Sequence, residues 1–221
     1  MALLKSSDQG RGGGIAGLVW EVQTATTGTG AEDQVNQRLR VKANSTASVV
    51  EVLEPANSKG SRMLQVDRNM WMTKPGLRKP VAISPRQRLT GQAALGDIAA
   101  TNYAQDYEPR HLRQEKVGDE MCHVLDLVAK NRQTTYDRII YWVSTRTGLA
   151  VRADFLSLSG KRLKSADFEH GNHVRIKGVT IAFVSRMRIS DALTDARTAL
   201  TYSHVLAKPL PTAEFDVANL K

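Results

Sequence analysis

"YDRIIYWVSTRTGLAVRADFLSLSG", residues 136–160, decides the fold class of this 221-residue chain. Two runs rich in β-branched and aromatic residues meet at Thr147-Gly148, and the second run turns again at Ser159-Gly160-Lys161. Short runs of this composition, separated by Gly- or Ser-containing turns, indicate antiparallel strands joined as hairpins. The stretch therefore predicts part of a β-meander.

The same pattern extends over most of the chain. In "GLVWEVQTATTG", residues 17–28, Leu18, Trp20 and Val22 share one face of a strand, and Glu21 and Gln23 share the other. The run "ASVVEVLEP", residues 47–55, repeats the alternation. Roughly ten or eleven strands are expected, enough to curl into a barrel or half-barrel. We predict a mainly β chain forming one domain over residues 1–221.

Three segments interrupt the strands. The opening "MALLKSSDQ" predicts a short helix that stops at Gly10. Residues 84–107 have helical character and turn signals, and we expect this helix and loop insertion, called the lid below, to cover an open end or a face of the sheet. The last segment predicts one or two helical turns anchored by Phe215 and Leu220.

Composition limits the compartment and the partners. The net charge of +9 favours anionic partners. The single cysteine, Cys122, excludes an intrachain disulfide and a cysteine cluster for zinc or iron and sulfur. No apolar run reaches the roughly 18 residues needed to span a bilayer, and the start lacks the features of a signal peptide. A leader removed from the exported chain would account for that start.

Motifs for catalysis and metal binding have little support. The five histidines are scattered, and only "EHGNH", residues 169–173, groups two of them with a glutamate; a polar turn between strands is the simpler interpretation. There is no G-x-S-x-G motif, and "GRGGG" follows no strand and precedes no G-K-[ST]. We expect no enzyme, no metal and no cofactor.

Nucleic-acid binding is the alternative for a basic β protein. Single-strand binders combine a basic groove with aromatic stacking platforms, but aromatic residues are only 5% of this chain. We expect no nucleic-acid partner. The densest basic segment could contact anionic head groups or an acidic partner, or could be a solvated loop; it comprises Lys74, Arg78, Lys79, Arg86 and Arg88.

The segment "NMWMTKPGLRKPVAI", residues 69–83, is apolar on both faces of a predicted strand. Alternation puts Met70 and Met72 on one face and Trp71 on the other. Methionine is over-used on surfaces that adapt to varied apolar guests. Such residues either line a cavity or belong to the core beneath it, and the sequence leaves both open.

Two long stretches carry a resemblance to a known family. "NMWMTKPGLRKPVAISPRQRLTGQAALGDIAATNYAQDY", residues 69–107, and the segment from Met121 to Lys164 resemble a family of periplasmic outer-membrane lipoprotein-sorting proteins of the LolA-like superfamily. The early "LLKSSDQGRG" and the spacing of Phe215 and Leu220 are also similar to that family. The resemblance covers nearly the whole chain.

The resemblance implies a LolA/LolB-like incomplete antiparallel β-barrel, covered on its concave side by short helices and a lid loop. It implies a periplasmic carrier for the acyl chains of lipidated proteins or lipids, moving cargo between an inner-membrane transporter and an outer-membrane acceptor. The alternative is a lipid-sensing or interaction module that regulates a membrane transporter. The candidate lining and lid residues are Trp20, Met63, Met70, Trp71, Met72, Leu95, Ile98, Tyr103, Leu125, Trp142 and Phe155.

Overall fold

The computed structural model describes residues 1–28 and 36–220, without the side chains of Arg88 and Thr90. Its α-helices are α1 (Ala2–Gln9), α2 (Leu95–Ile98) and α3 (Tyr103–Asp106), and two 3-10 helices follow at Thr212–Phe215 and Val217–Asn219. The strands are β1 (Leu18–Thr27), β2 (Arg38–Ala43), β3 (Ala47–Glu54), β4 (Arg62–Val66), β5 (Asn69–Thr73), β6 (Val81–Ile83), β7 (Arg88–Thr90), β8 (Ala93–Ala94), β9 (Tyr107–Val117), β10 (Glu120–Ala129), β11 (Arg138–Ser144), β12 (Ala150–Leu156), β13 (Arg162–Glu169), β14 (Asn172–Ile176), β15 (Val179–Phe183), β16 (Arg186–Asp191) and β17 (Arg197–Ala207).

Thirteen of these strands form one antiparallel sheet in the order β6-β5-β4-β3-β2-β1-β17-β16-β13-β12-β11-β10-β9. In the described residues its two edges, β6 and β9, do not pair with each other, so the sheet is an incomplete barrel. The predicted fold class is confirmed. The thirteen strands of the main sheet exceed the expected ten or eleven by two or three, and β6, with three residues, is too short to show a period of two.

Alternating side chains divide the sheet into two faces. On β11, Ile139, Tyr141 and Val143 enter the large core on the concave face, whereas Ile140 and Trp142 belong to a small cluster on the other face. The same division applies to β5, as the sequence predicts: Met70 and Met72 pack with the concave core, and Trp71 packs on the other face.

Three pieces of the chain cover the concave face. Leu4 of α1 is 1% exposed, and α1 ends before Gly10, as predicted. The hairpin of β14 and β15 contributes Phe183, whose ring centroid lies 5.4 Å from that of Trp20. The lid supplies the third piece, through α2, α3 and the small hairpin of β7 and β8.

The C-terminal segment packs on the opposite face. Phe215 and Leu220 are buried there against Leu64, in a cluster that also includes Trp71. The predicted anchors are confirmed, although the turns are 3-10 helices.

Truncation of the C-terminal anchor should destabilise the domain. We expect Phe215→Ala to lower the free energy of unfolding in urea by about 3–5 kcal/mol, because it removes a buried aromatic ring and leaves a cavity. The control is Leu206→Ala on β17, where the side chain is 55% exposed and the expected change is within about 0.5 kcal/mol. Equal effects of the two substitutions would show that the segment does not contribute to the core.

Candidate functional site

The lid closes over the concave core with mostly small side chains. Leu95, Ile98 and Tyr103 are 4%, 1% and 6% exposed and insert into the core. Around them the lid buries five alanines, namely Ala93, Ala94, Ala99, Ala100 and Ala104. At Gly96 an added β-carbon would lie 1.9 Å from Thr135 Oγ1, so only glycine allows this close approach to the β10–β11 connection. The lid therefore covers the concave face with few large side chains.

A buried polar cluster fastens the lid to the sheet, and we call it the latch (Asp97, Lys164 and Tyr136). Lys164 Nζ on β13 lies 2.9 Å from Asp97 Oδ2 of α2 and donates to the Gln92 carbonyl at 2.6 Å. The Tyr136 hydroxyl donates to the same carboxylate at 2.7 Å. Burial, followed by the charge of Asp97, raises the pKa of Tyr136 well above its usual value, so its hydroxyl stays a donor.

Two ion pairs hold the rim of the lid. Arg86 pairs with Asp137 at 2.7 Å and donates to the Thr134 carbonyl at 2.9 Å. Arg68, in the β4–β5 turn, pairs with Asp106 of α3 at 2.9 Å. Because these groups are partly exposed, they restrain the lid with little net stability.

Helix α1 is tied to the lid through Asp8. Its carboxylate accepts from the backbone N–H groups of Tyr103 at 3.0 Å and Ala104 at 2.9 Å. Burial raises the pKa of Asp8 to about 7, against the opposing effects of these two hydrogen bonds and of Arg11. This carboxyl group thus changes protonation near neutral pH while in contact with the lid.

The structure brings nine of the eleven predicted lining and lid residues together in the concave core. Met72 is half-buried and the other eight are buried; the nine are Trp20, Met63, Met70, Met72, Leu95, Ile98, Tyr103, Leu125 and Phe155. Because the chain itself covers them, this face is closed, and a guest would have to displace part of the cover.

Trp71 and Trp142 are the two predicted residues that pack outside the concave core. Trp71 packs in the C-terminal cluster, and Trp142 packs with Cys122 and Val124, both on the other face. The Trp142 indole donates to Glu115 at 2.6 Å, and Arg152 lies 5.4 Å from its ring centroid. Both side chains belong to strands that are apolar on two faces, so composition alone could not assign them.

The predicted basic residues fall into two groups. Lys74, Arg78 and Lys79 are exposed in the β5–β6 loop, and no ion pair is found for them within the described residues. Arg86 differs from them, because it contacts Asp137 and Thr134 of its own chain. The side chain of Arg88 lies outside the described part of the structure.

The strongest polar features of the site were missed by the sequence analysis. Asp8, Arg11, Asp97 and Lys164 are all buried beside the concave core. Arg11 lies in a Gly-rich joint, Asp8 and Asp97 lie in short helices, and Lys164 lies on a strand where a charged residue is ordinarily assigned to the solvent face, so no periodic pattern indicates their burial. No helix in the described ranges is long and apolar enough to cross a membrane.

Comparisons with known proteins agree with this architecture. A family model described as "Uncharacterized protein" matches residues 44–221. The chain is 32% identical to a LolA superfamily protein from Nitrosomonas europaea, with a TM-score of 0.84 over 97% of this chain and 96% of that one. The comparison with curated proteins found no match.

Two further solved structures share the fold at lower identity. A DUF1329 family protein from Desulfovibrio piger is 20% identical, with a TM-score of 0.81 over 100% of this chain and 97% of that one. A domain described as an outer membrane lipoprotein-sorting protein, from Vibrio parahaemolyticus, is 16% identical, with a TM-score of 0.82 over 99% and 97%. The predicted LolA-like fold is thereby confirmed.

Substitution of a latch residue should lower the free energy of unfolding more than substitution in an exposed ion pair on the same strand. We expect Lys164→Met to lower the free energy of unfolding by about 3–5 kcal/mol, because it leaves the Asp97 carboxylate buried without its cation. In Asp97→Asn/Lys164→Met the loss should be smaller than the sum of the single losses. Arg162→Met is the control on β13, and its exposed pair with Asp154 at 3.5 Å predicts about 1 kcal/mol or less. Additive effects in urea unfolding would contradict the latch.

Asp8 should give the domain a distinct dependence of stability on pH. Its pKa is about 7 in the folded chain against a reference of 3.8, so the folded state binds more protons between these values. The contribution of Asp8 to the free energy of unfolding is therefore fully present below about pH 3.8 and is lost as the pH rises towards 7. The difference in unfolding free energy between wild type and Asp8→Asn should fall across this interval and stay level above it. A difference that does not change with pH would contradict the assignment.

Proposed function

The chain belongs to the LolA superfamily, and on that premise we propose that it is a periplasmic carrier that binds acyl chains of lipoproteins or lipids on the concave face beneath the lid. It performs no chemistry on its cargo. The observation that carries the proposal is the cover itself: an apolar face with six of the predicted residues is closed by a short, alanine-rich lid that inserts the other three and has a small number of polar fastenings.

The energetics favour exchange of the lid for an acyl chain. Displacing Leu95, Ile98 and Tyr103 exposes apolar area on the sheet, and an acyl chain in the same place removes that area from water again. Each buried methylene contributes about 0.8 kcal/mol, so a long chain can compensate for a displaced lid. The polar groups of the latch regain water when the lid moves, which lowers the cost of separating them.

Release follows from the same balance. The empty carrier closes on itself, because the lid restores the burial that the cargo leaves behind. The apparent affinity for cargo is therefore lower than the affinity of the open form, by the fraction of molecules that are open. An acceptor needs only a moderately higher affinity to take the cargo.

The proposed partners are an inner-membrane transporter as donor and an outer-membrane acceptor. Lys74, Arg78 and Lys79 project from the β5–β6 loop beside the exposed Leu77, which is 38% exposed. Exposed cations near an apolar side chain suit either an anionic membrane surface or an acidic face of such a partner.

A second candidate function has one observation in its favour. Because the concave face is filled by the chain itself, occupancy by a lipid requires movement of the lid. A membrane transporter that contacts the lid could detect this movement, which would make the protein a lipid sensor. Both functions need the same acyl-binding event, and they differ in whether bound cargo is passed on to an acceptor.

Locking the lid should abolish uptake of acyl chains. A β-carbon at Gly96 would lie 3.0 Å from Thr135 Cβ, below the spacing of about 3.5–4.5 Å found in disulfides, so the cross-link requires α2 to shift outward by about 0.5 Å. We expect the oxidised Gly96→Cys/Thr135→Cys protein, prepared with Cys122→Ser, to exclude a fluorescent fatty acid. Reduction should restore binding to the level of the control protein that carries Cys122→Ser alone.

The single variant Thr135→Cys in the same background controls for the loss of threonine, whereas Gly96→Cys alone would meet Thr135 Oγ1 at 1.9 Å and should push the lid outward, which should not reduce uptake. Circular dichroism before and after oxidation checks that the fold is intact. Uptake by the oxidised double variant at the control level would exclude the lid as the gate, and no uptake by wild type would contradict the carrier.

A further inference from the structure

Arg11 lies in the glycine-rich strap, residues 10–17, directly beneath the lid. Its side chain is 4% exposed, and its guanidinium carbon lies 5.3 Å from the ring centroid of Tyr103 and 4.7 Å from that of Phe168. Arg11 Nη1 is buried without a hydrogen-bond partner. Within the described residues no carboxylate forms an ion pair with Arg11. A permanently charged group is thus buried between two aromatic rings with one donor unused.

Two more unpaired polar atoms lie against the same strap. The indole Nε1 of Trp20 and the imidazole Nε2 of His170 are both buried without a hydrogen-bond partner. A β-carbon at Gly10 would lie 3.5 Å from the His170 ring, and one at Gly12 would lie 2.9 Å from the Trp20 ring. Of three consecutive strap residues, Gly10 therefore adjoins the His170 ring, Arg11 carries the unpaired Nη1, and Gly12 adjoins the Trp20 ring.

The protonation states at this place favour a net positive charge. Burial, and then the charge of Arg11, lowers the pKa of His170 to about 4, so the imidazole is neutral at pH 7. The nearby Asp8 is engaged by two backbone N–H groups, and its pKa of about 7 leaves its carboxyl partly protonated at neutral pH. The charge of Arg11 is therefore only partly balanced by the protein.

Unpaired buried donors are costly and rare in folded proteins, and each one calls for an explanation. The Arg11 guanidinium has the Tyr103 and Tyr141 hydroxyls as neutral partners, but Nη1 has none, and an unpaired donor on a buried charge is more costly still because it loses its hydration. Arginine presents a planar fork of donors that matches a carboxylate or a phosphate. The unused donor indicates an anion as the missing partner.

We propose that Arg11 binds the anionic head group, carboxylate or phosphate, of an amphiphile whose chain lies on the concave face, with Trp20 and His170 as further polar contacts. This inference rests on the proposed acyl-binding function and adds to it the charge class of the cargo. Cargo with a neutral ester or amide at this position would leave Arg11 unpaired, so the inference favours fatty acids and phospholipids over the lipidated end of a lipoprotein.

Movement of the lid uncovers this group without dismantling its support. Tyr103, which covers one side of the guanidinium, is part of α3 in the lid, whereas Phe168 on the other side is part of β13. The strap is bonded on two sides: the Val184 N–H, in the β15–β16 connection, donates to the Gly10 carbonyl at 2.8 Å, and the Thr101 N–H of the lid donates to the Arg11 carbonyl at the longer distance of 3.4 Å. The head group would take the place of Tyr103 as the lid opens.

The test compares three amphiphiles of one chain length by isothermal titration: dodecanoate, dodecyl phosphate and the neutral dodecanol. We expect wild type to bind at least one of the acids about 10-fold or more tightly than dodecanol, as a charge-assisted contact predicts. Arg11→Gln should reduce the affinity for that acid to the dodecanol level and leave dodecanol binding unchanged. A preference for dodecanoate would identify a fatty acid, and one for dodecyl phosphate a phospholipid.

The controls separate local contact from net charge. Arg78→Gln removes one exposed cation and should leave the preference of wild type intact, and Arg11→Lys should retain a large part of it. If Arg11→Gln does not fold, the comparison of acid and alcohol on wild type still decides the question. Equal affinities of wild type for all three amphiphiles would overturn the inference and keep the carrier, whereas no binding of any of them would overturn both.

Discussion

The apolar concave face of a curved sheet must be kept out of water, and a sheet whose edges do not meet cannot do this alone. In a closed barrel, opposite strands fill the interior with their own side chains. Here β6 and β9 end the sheet without pairing to each other. The chain compensates with α1 and its strap, the lid, and the hairpin of β14 and β15. These covers are short, and α1 and the lid are joined to each other through Asp8.

The polar groups beneath the cover explain why it closes in one position. Asp97 receives donors from Lys164, Tyr136 and the backbone of Ala94, the last at 2.9 Å. Buried ion pairs of this kind add little net stability relative to apolar packing, but they penalise any arrangement that leaves one partner alone. Packing of the small alanine side chains alone would allow the lid several positions on the sheet. The hydrogen bonds and the ion pair of the latch form in one position. Apolar burial thus supplies the driving force, and the latch fixes the placement.

The sequence could predict the sheet and part of its covering for identifiable reasons. Glycine and serine turns between β-type runs indicated an antiparallel meander, and Gly10, Phe215 and Leu220 marked the terminal segments correctly. Alternation also separated Met70 and Met72 from Trp71. Met70 and Met72 indeed pack in the concave core, while Trp71 lies on the far face.

The side-chain placements that the sequence could not predict depend on contacts between distant segments. Trp142 lies on a strand apolar on both faces, and it contacts Glu115 of β9, two strands away, and Arg152 of the adjacent β12. The sequence indicates no partner for Arg86, whereas the structure pairs it with Asp137. Arg11 sits among glycines, a composition typical of a flexible joint, yet packing makes it one of the most buried charges. Burial of a charge within an irregular segment depends on tertiary contacts, which no local pattern records.

The latch and Arg11 differ in a way that bears on exchange of cargo. The latch is satisfied when the lid is closed, so it stabilises the empty state. Arg11 has an unused donor in that same state, so the empty state keeps a cost that an anionic head group would remove. A ligand shifts an equilibrium only by its difference in affinity for the two states. In the proposed carrier, the acyl chain replaces burial that the lid supplies in the closed state, whereas the head group contributes only in the open state, so that contribution would select the loaded form.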